Sequence, residues 1–198
     1  MYILGIHDGH NASAVLLKDG RVVAGVQEER PRGIKNAMGM PTTAIQDVLE
    51  QAQIKASHVD FVALSGLHSG EYVEVNQCPN PSDQIVKWHQ ARYDRKTYNV
   101  KNIIRPLIPR SVYELIKGNG ARQRRTDAVA CLGFDTNRIR LVEHHTCHAA
   151  SAYYGWGNLD DPVLVLTNDG MGDDICATVS IGKNGTLERI ASIPYGES

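Results

Sequence analysis

No stretch of this sequence is apolar for anything near the roughly 20 residues that a membrane-spanning helix needs. The first residues also lack the basic-then-apolar pattern of a secretory leader. Cysteine is scarce: Cys78, Cys131, Cys147 and Cys176 stand far apart, with no C-x-x-C pair. That spacing argues against a disulfide framework and for reduced thiols in a cytoplasmic protein with no membrane partner. Net charge is close to nil, at −1, but unevenly spread. Between Gln84 and Arg125 there are eleven Lys/Arg against two acids, Asp94 and Glu114, which leaves an acidic remainder. A basic insert on an acidic body steers anions or docks a partner, or is simply a solvated helical face. Aromatic residues are sparse within it, which speaks against nucleic acid. With 198 residues, the chain can build one core of ordinary size, or one domain and part of another.

What is present is a cluster of histidines. Three of the eight fall within Glu143-His144-His145-Thr146-Cys147-His148, just ahead of the small-residue run Ala149-Ala150-Ser151-Ala152. If the segment is helical from His144, then His144 and His148, four apart, stack on one face and can grip one transition metal. His145 points about a quarter-turn away and is left for a substrate or supporting contact.

Along the chain, residues 2–7 read as a buried strand, His7-Asp8-Gly9-His10-Asn11 as a polar turn, and Ala12–Leu17 as a second strand. Lys18-Asp19-Gly20 is a hairpin signal, because Asp-Gly suits the positive φ of tight hairpin turns. Arg21–Gln27 is a third strand. The charged run Glu28-Glu29-Arg30-Pro31-Arg32-Gly33-Ile34-Lys35 is a solvated or anion-binding loop. Pro41-Thr42-Thr43 opens a helix to about Ala52, and Val59–Leu64 is a fourth, fully buried strand. A helix is expected from Ser82 to about Tyr98. Short helices follow from Ser111, with Gly118 just past its end, and over Arg125–Leu132. Ile139–Val142 is a strand leading to the histidines, and Ala149–Gly155 is helical.

Pro162–Thr167, Ala177–Ile181 and Thr186–Ile193 then repeat the opening scheme: buried strand, Asp-Gly turn (Asp169-Gly170), strand, Lys-x-Gly turn (Lys183-Asn184-Gly185), strand. The fold expected is α/β, with one complete lobe over about 1–160, a basic helical insert at about 66–135, and the opening three strands of a second lobe at 161–198. The chain thus reads as an N-terminal piece of a longer protein.

Duplicated strand–Asp-Gly–strand hairpins present backbone amides and a carboxylate to phosphate or its metal, so Asp8 and Asp169 are expected as paired acids across a cleft between lobes. Asp8, Gly9, Asn11, Gly170 and Gly172 are the candidate phosphate or nucleotide contacts. Asp169 follows a rigid strand and suits a third metal ligand beside His144 and His148. Two imidazoles and one carboxylate with open positions fit Fe(II), Mn(II) or Zn(II) better than Mg(II) alone. His10, in a turn beside Asp8, is a candidate general base. His145, Glu29, Arg30 and Lys35 are candidate substrate contacts.

These residues resemble a known family. Leu4-Gly5-Ile6, His10-Asn11-Ala12-Ser13-Ala14, Lys18-Asp19-Gly20 and Gln27-Glu28-Glu29-Arg30 with Lys35 are similar to the start of the O-carbamoyltransferases of nodulation-factor and antibiotic biosynthesis, the NodU/CmcH type. Glu143-His144-His145-x-x-His148-Ala149-Ala150-Ser151-Ala152-Tyr153-Tyr154 and Leu166-Thr167-x-Asp169-Gly170-x-Gly172 resemble their central motif. Pro31 replaces the usual aromatic and Asn11 an aspartate found in several relatives, and about 66–135 carries no resemblance. The resemblance implies an actin-like ATPase (ribonuclease H-like) fold. It also implies an ATP-dependent transfer of carbamoyl from carbamoyl phosphate, through carbamoyl adenylate, to the hydroxyl of a sugar or natural product. It implies His144, His148 and Asp169 as metal ligands, iron first, with Mg(II) as a possible further ion and one more aspartate from a later part of the protein. His10 is implied as the base that deprotonates the acceptor. The partners implied are carbamoyl phosphate, ATP, a small hydroxyl acceptor, and the remaining C-terminal half with its activation domain. Without those parts the piece is expected to be inactive. The alternatives are an actin-fold kinase, a tRNA threonylcarbamoyl-transfer-like enzyme favoured by the basic insert, or a non-catalytic binding module.

Overall fold

The computed structural model describes residues 1–67 and 110–195, with side chains described in the second stretch from residue 120 onward. The helix expected at 82–98, and with it most of the basic insert, lies outside the described residues. Two compact units are found: residues 1–64 with 69–140, and residues 65–68 with 141–198.

Strands β1 (Tyr2–His7), β2 (Ser13–Lys18), β3 (Arg21–Gln27), β4 (Phe61–Ser65) and β5 (Ile139–Val142) form one sheet in the order β3-β2-β1-β4-β5, all of it in the first unit except the last residues of β4 and β5. β1, β2 and β3 form an antiparallel meander, and β4 joins β1 in parallel. This is an α/β lobe with the strand order of the ribonuclease H-like class. The meander turns where expected: Asp19 and Gly20 have φ of 50° and 78°, the two successive positive values of a type I′ hairpin.

Helix α2 (Thr42–Gln51) covers β2 and β3. Its Ala44, Ile45 and Val48 are buried, and so are Leu4, Ile6, Ala14, Leu16, Val62 and Leu64 of the sheet, each at most 2% exposed. Each such aliphatic side chain contributes about 1.5–3 kcal/mol by leaving water. β4 is not fully buried as expected: Phe61, at its start, is 41% exposed.

The charged run after β3 folds back instead of looping out. Glu29–Arg32 makes a short helix, α1, stopped by Gly33 at φ 63°. Glu28, buried, accepts the backbone amides of Ala44 (2.7 Å) and Thr43 (3.3 Å). It thus caps α2 from outside that helix, where the chain entering at Pro41 offers no side-chain cap. Glu29 accepts the Asn36 amide, while Arg30 and Lys35 are exposed.

Helix α3 runs unbroken from Arg110 to Ala130, where the sequence suggested two short helices divided at Gly118. A helical glycine costs about 1 kcal/mol, which weakens a helix without ending it. Here tertiary anchoring overrides that cost. Arg125 on α3 is buried and donates from Nε to Asp8 Oδ2 at 2.7 Å and from Nη2 to Asp8 Oδ1 at 2.8 Å. This corrects the expectation for Asp8. Its carboxylate is 3% exposed and held by a guanidinium in a two-pronged pair, so it is not an acid offered to phosphate at an open turn.

The second unit comprises β6 (Val163–Gly172), β7 (Ile175–Lys183) and β8 (Thr186–Pro194) in one antiparallel sheet, with helix α4 (His144–Trp156) packed against β6 and β7. The unit boundary falls at Arg140/Leu141, ahead of the position near 160 expected from the sequence, because α4 shares its core with these strands. Tyr153, fully buried, packs with Ala149 and Val165, and its hydroxyl donates to the Leu159 carbonyl and accepts the Gly185 amide. The second hairpin turns at Asn184 and Gly185, with φ of 50° and 74°.

The turn expected at Asp169-Gly170 is absent: β6 continues to Gly172, and the chain reverses at Asp173 and Asp174, with φ of 52° and 65°. No disulfide forms among the described residues, and no described helix is long and apolar enough to cross a membrane.

Removing either member of the Asp8–Arg125 pair takes from a buried charge its two-pronged ionic partner. Asp8→Ala and Arg125→Ala are each expected to destabilise the protein by about 3–5 kcal/mol. Urea unfolding of both variants and their double checks this, the double losing less than the sum of the singles.

Candidate metal centre

Helix α4 begins at His144 because its start is thoroughly capped. Glu143 accepts the amides of His145 (2.9 Å) and Thr146 (2.8 Å) and the Thr146 hydroxyl. It also pairs with Arg189 on β8. Asp173, at the reversal after β6, accepts the His144 amide at 2.8 Å and the Leu67 amide at 2.7 Å. With the helix fixed from its first residue, His144 and His148 meet on one face as their spacing requires, ring centroids 4.6 Å apart and the rings edge to face at 73°.

The third group is brought to them by a bulge. On β6, Asn168 pairs with Ala177 and Gly172 with Ile175, so residues 169–171 stand opposite the single residue Cys176. Extra residues in one strand bend it and re-aim its side chains. The Asp169 carboxylate here reaches His144, Oδ2 lying 2.7 Å from His144 Nε2 and 3.5 Å from His148 Nε2, while the two imidazole nitrogens are 3.0 Å apart. Oδ1 accepts the Gly170 amide at 2.6 Å. Gly172 is needed for close approach, since a Cβ there would run into the His144 ring.

This constellation fits a cation. Two donors each about 2.1 Å from one ion are about 3.0 Å apart at a right angle and about 3.4 Å at a tetrahedral one; the three separations here are 2.7, 3.0 and 3.5 Å, the shortest of them a hydrogen-bond length. A proton serves it poorly: His144 Nε2 carries either a hydrogen or a lone pair, yet meets both a carboxylate and a second ring nitrogen. A cation accepts all three lone pairs. The group is partly exposed, leaving room for further ligands, and two nitrogens with one oxygen suit Fe(II), Mn(II) or Zn(II).

Hydrogen bonding from His144 is the main cause that holds Asp169 below the ordinary carboxylate range, against the opposing effect of burial. Burial by itself would raise Glu143, but hydrogen bonds from Arg189, the Thr146 hydroxyl and two helix amides outweigh it and bring Glu143 down to about 2.

The other expected residues fare differently. His145 is corrected from a possible substrate contact to an interior group. Its ring is fully buried, with Nε2 3.0 Å from the Ile175 carbonyl and Nδ1 2.8 Å from the Thr167 hydroxyl. Gly170 donates its amide to Asp169, and Gly172 is buried within the β6–β7 ladder.

In the first unit, His7 donates from Nε2 to the His10 carbonyl at 3.0 Å, and its ring lies so close over Gly9 that a Cβ there would approach it to 2.8 Å. His10 is exposed and bridges to Met38, and Asn11 takes a left-handed φ of 57°. Sequence reading missed Asp173 and Arg189, which contribute through backbone amides and a partner distant in sequence.

The chain belongs to the carbamoyltransferase N-terminus family, whose model it matches over residues 2–198. Among curated proteins it is 29% identical over 189 residues to the nodulation protein NolNO of Sinorhizobium fredii, covering 96% of this chain and 24% of that protein. It is 27% identical over 192 residues to the uncharacterised protein sll1178 of Synechocystis, covering 94% of this chain and 28% of that one. The chain therefore spans about a quarter of the length of these relatives. Among solved structures, YeaZ from Pseudomonas aeruginosa is similar over 98% of this chain and 68% of its own, at 14% identity and a TM-score of 0.45.

Because Glu143 lies below its unfolded value of about 4.5, its contribution to stability is complete above pH 4.5 and disappears as pH falls towards 2. Glu143→Gln is accordingly expected to be less stable than the parent at pH 7. The gap should narrow across pH 4.5 to 2, as read by denaturant unfolding at each pH.

Proposed function

We propose that this chain carries the transfer site of an ATP-dependent O-carbamoyltransferase, which moves carbamoyl from carbamoyl phosphate, by way of carbamoyl adenylate, to an acceptor hydroxyl. The observation that carries the reading is the convergence of His144, His148 and Asp169 within a chain of the carbamoyltransferase N-terminus family. His144, His148 and Asp169 would hold a divalent metal, iron before zinc or manganese. When bound, the metal supplies charge to orient the phosphate of the adenylate and to favour its departure.

The remaining work falls to the chain's own groups. Asp169, a carboxylate and so ionised across the neutral range, offers its charge to a cation. Gly172 leaves space for the His144 ring, and Asp173 holds that residue's backbone. His10, exposed at its loop, takes the proton from the acceptor hydroxyl. The acceptor oxygen bonds to the carbamoyl carbon, the bond from that carbon to the phosphate oxygen breaks, and AMP leaves. Carbamoyl activation and the acceptor pocket belong to the full-length protein, of which relatives' lengths leave about three quarters beyond this region.

Two measurements test the reading. Protein purified without added metal is expected to contain iron or zinc, and the His144→Ala/His148→Ala double variant to lose it; equal content by elemental analysis in both would remove the site. In the full-length protein, His10→Ala is expected to leave carbamoyl-phosphate-dependent pyrophosphate release from ATP intact. Carbamoylation of the acceptor should fall by about 10²-fold or more. If both half-reactions fall together, His10 is not the base.

A further inference from the structure

The two adjacent histidines of α4 point to opposite fates: His144 turns outward to Asp169, and His145 turns into the sheet. A carbonyl only accepts, so His145 Nε2 carries the hydrogen it gives to Ile175 O, 3.0 Å away. In the neutral ring this tautomer makes Nδ1 an acceptor for the Thr167 hydroxyl at 2.8 Å, and Thr167 in turn accepts from the Thr178 hydroxyl at 2.6 Å. Thr167 and Thr178 are cross-strand partners and both are buried.

The places where this relay touches the sheet matter. Thr167 lies two residues before Asp169 on β6, just ahead of the bulge, and Ile175 pairs with Gly172, at the bulge's far end. The ring of His145 therefore fastens α4 to the sheet on both sides of the segment that carries Asp169. A helix free to turn or slide would move His144 and His148 together, away from the carboxylate.

We propose that His145, acting through Thr167 and Thr178, is a positioning residue that sets the rotation of α4 against the 169–171 bulge and so preforms the His144–His148–Asp169 triad. This rests on reading that triad as a metal site. Partners behind a metal's direct ligands typically change affinity by about 10–100-fold when removed.

The test uses cobalt(II) as probe, with affinity read by titration calorimetry and ligand geometry by the visible absorption of the bound ion. Thr167→Val keeps the shape and removes the hydroxyl; Thr167→Ser restores it. The valine variant is expected to bind cobalt about 10–100-fold more weakly, with an altered spectrum, and the serine variant to stay within about threefold of the parent. Thr178→Val, which removes only the far hydroxyl, is the milder second variant and is expected to weaken binding by a smaller factor. Parent-like affinity and spectrum in both valine variants, even with a lowered Tm, would show that the relay only stabilises the fold and would overturn the proposal. Equal losses in Thr167→Val and Thr167→Ser would do so too, by excluding the hydroxyl as the agent. If instead the parent binds cobalt no better than the His144→Ala/His148→Ala variant, the metal reading itself fails, and this one with it.

Discussion

Two imidazole nitrogens, of His144 and His148, and one carboxylate oxygen, of Asp169, are held between 2.7 and 3.5 Å from one another. The rest of the second unit is arranged to impose that meeting. Helical spacing alone brings His144 to His148, and a strand bulge brings Asp169 to both. The sheet beneath is tied to the helix by Tyr153 at one end and His145 at the other. Such preorganisation means that the cost of bringing the donors together is met by the folded chain before any ligand arrives.

The same device recurs at the start of two helices. Glu28 caps α2 from the end of the β3 segment, and Asp173 supports α4 from the β6–β7 reversal. In each case a carboxylate distant in sequence accepts the amides that a helix start leaves unpaired, and it sits where the helix dipole favours negative charge. A helix placed in this way has its starting point decided by the sheet it packs on. That explains why the acidic residues of the charged run after β3 are partly interior: Glu28 was read as part of a solvated loop because a carboxylate's remote amide partners leave no local trace in sequence.

Legibility followed the range of the interaction. Hydrophobic pattern and turn chemistry marked every described strand to within two residues except the far end of β6, which runs five residues past Thr167, and Asp19-Gly20 and Asn184-Gly185 turn with the backbone angles their sequences require. The meeting of His144 and His148 on one face depends only on helical pitch and was equally visible. What could not be read were the effects of distant partners. Asp8 has the local look of a phosphate-binding acid, and only the arrival of Arg125 shows it is spent on an ion pair. Asp169-Gly170 has turn chemistry, yet the ladder continues past it because Gly172 still finds Ile175. Helical angle alone leaves His145 open to a substrate or a supporting contact; the buried hydroxyls that draw it inward lie on two later strands.

The two ends of α4 are held very unequally. At the first turn Glu143 and Asp173 together take up the amides of His144, His145 and Thr146, whereas the last turn ends at exposed Trp156 and a left-handed Gly157. Fraying should therefore enter from the tryptophan end, with solvent exchange of backbone hydrogens slowing towards the histidines. The segment that carries the histidines is then the last part of the helix to open, and thermal loosening elsewhere along it need not reach them.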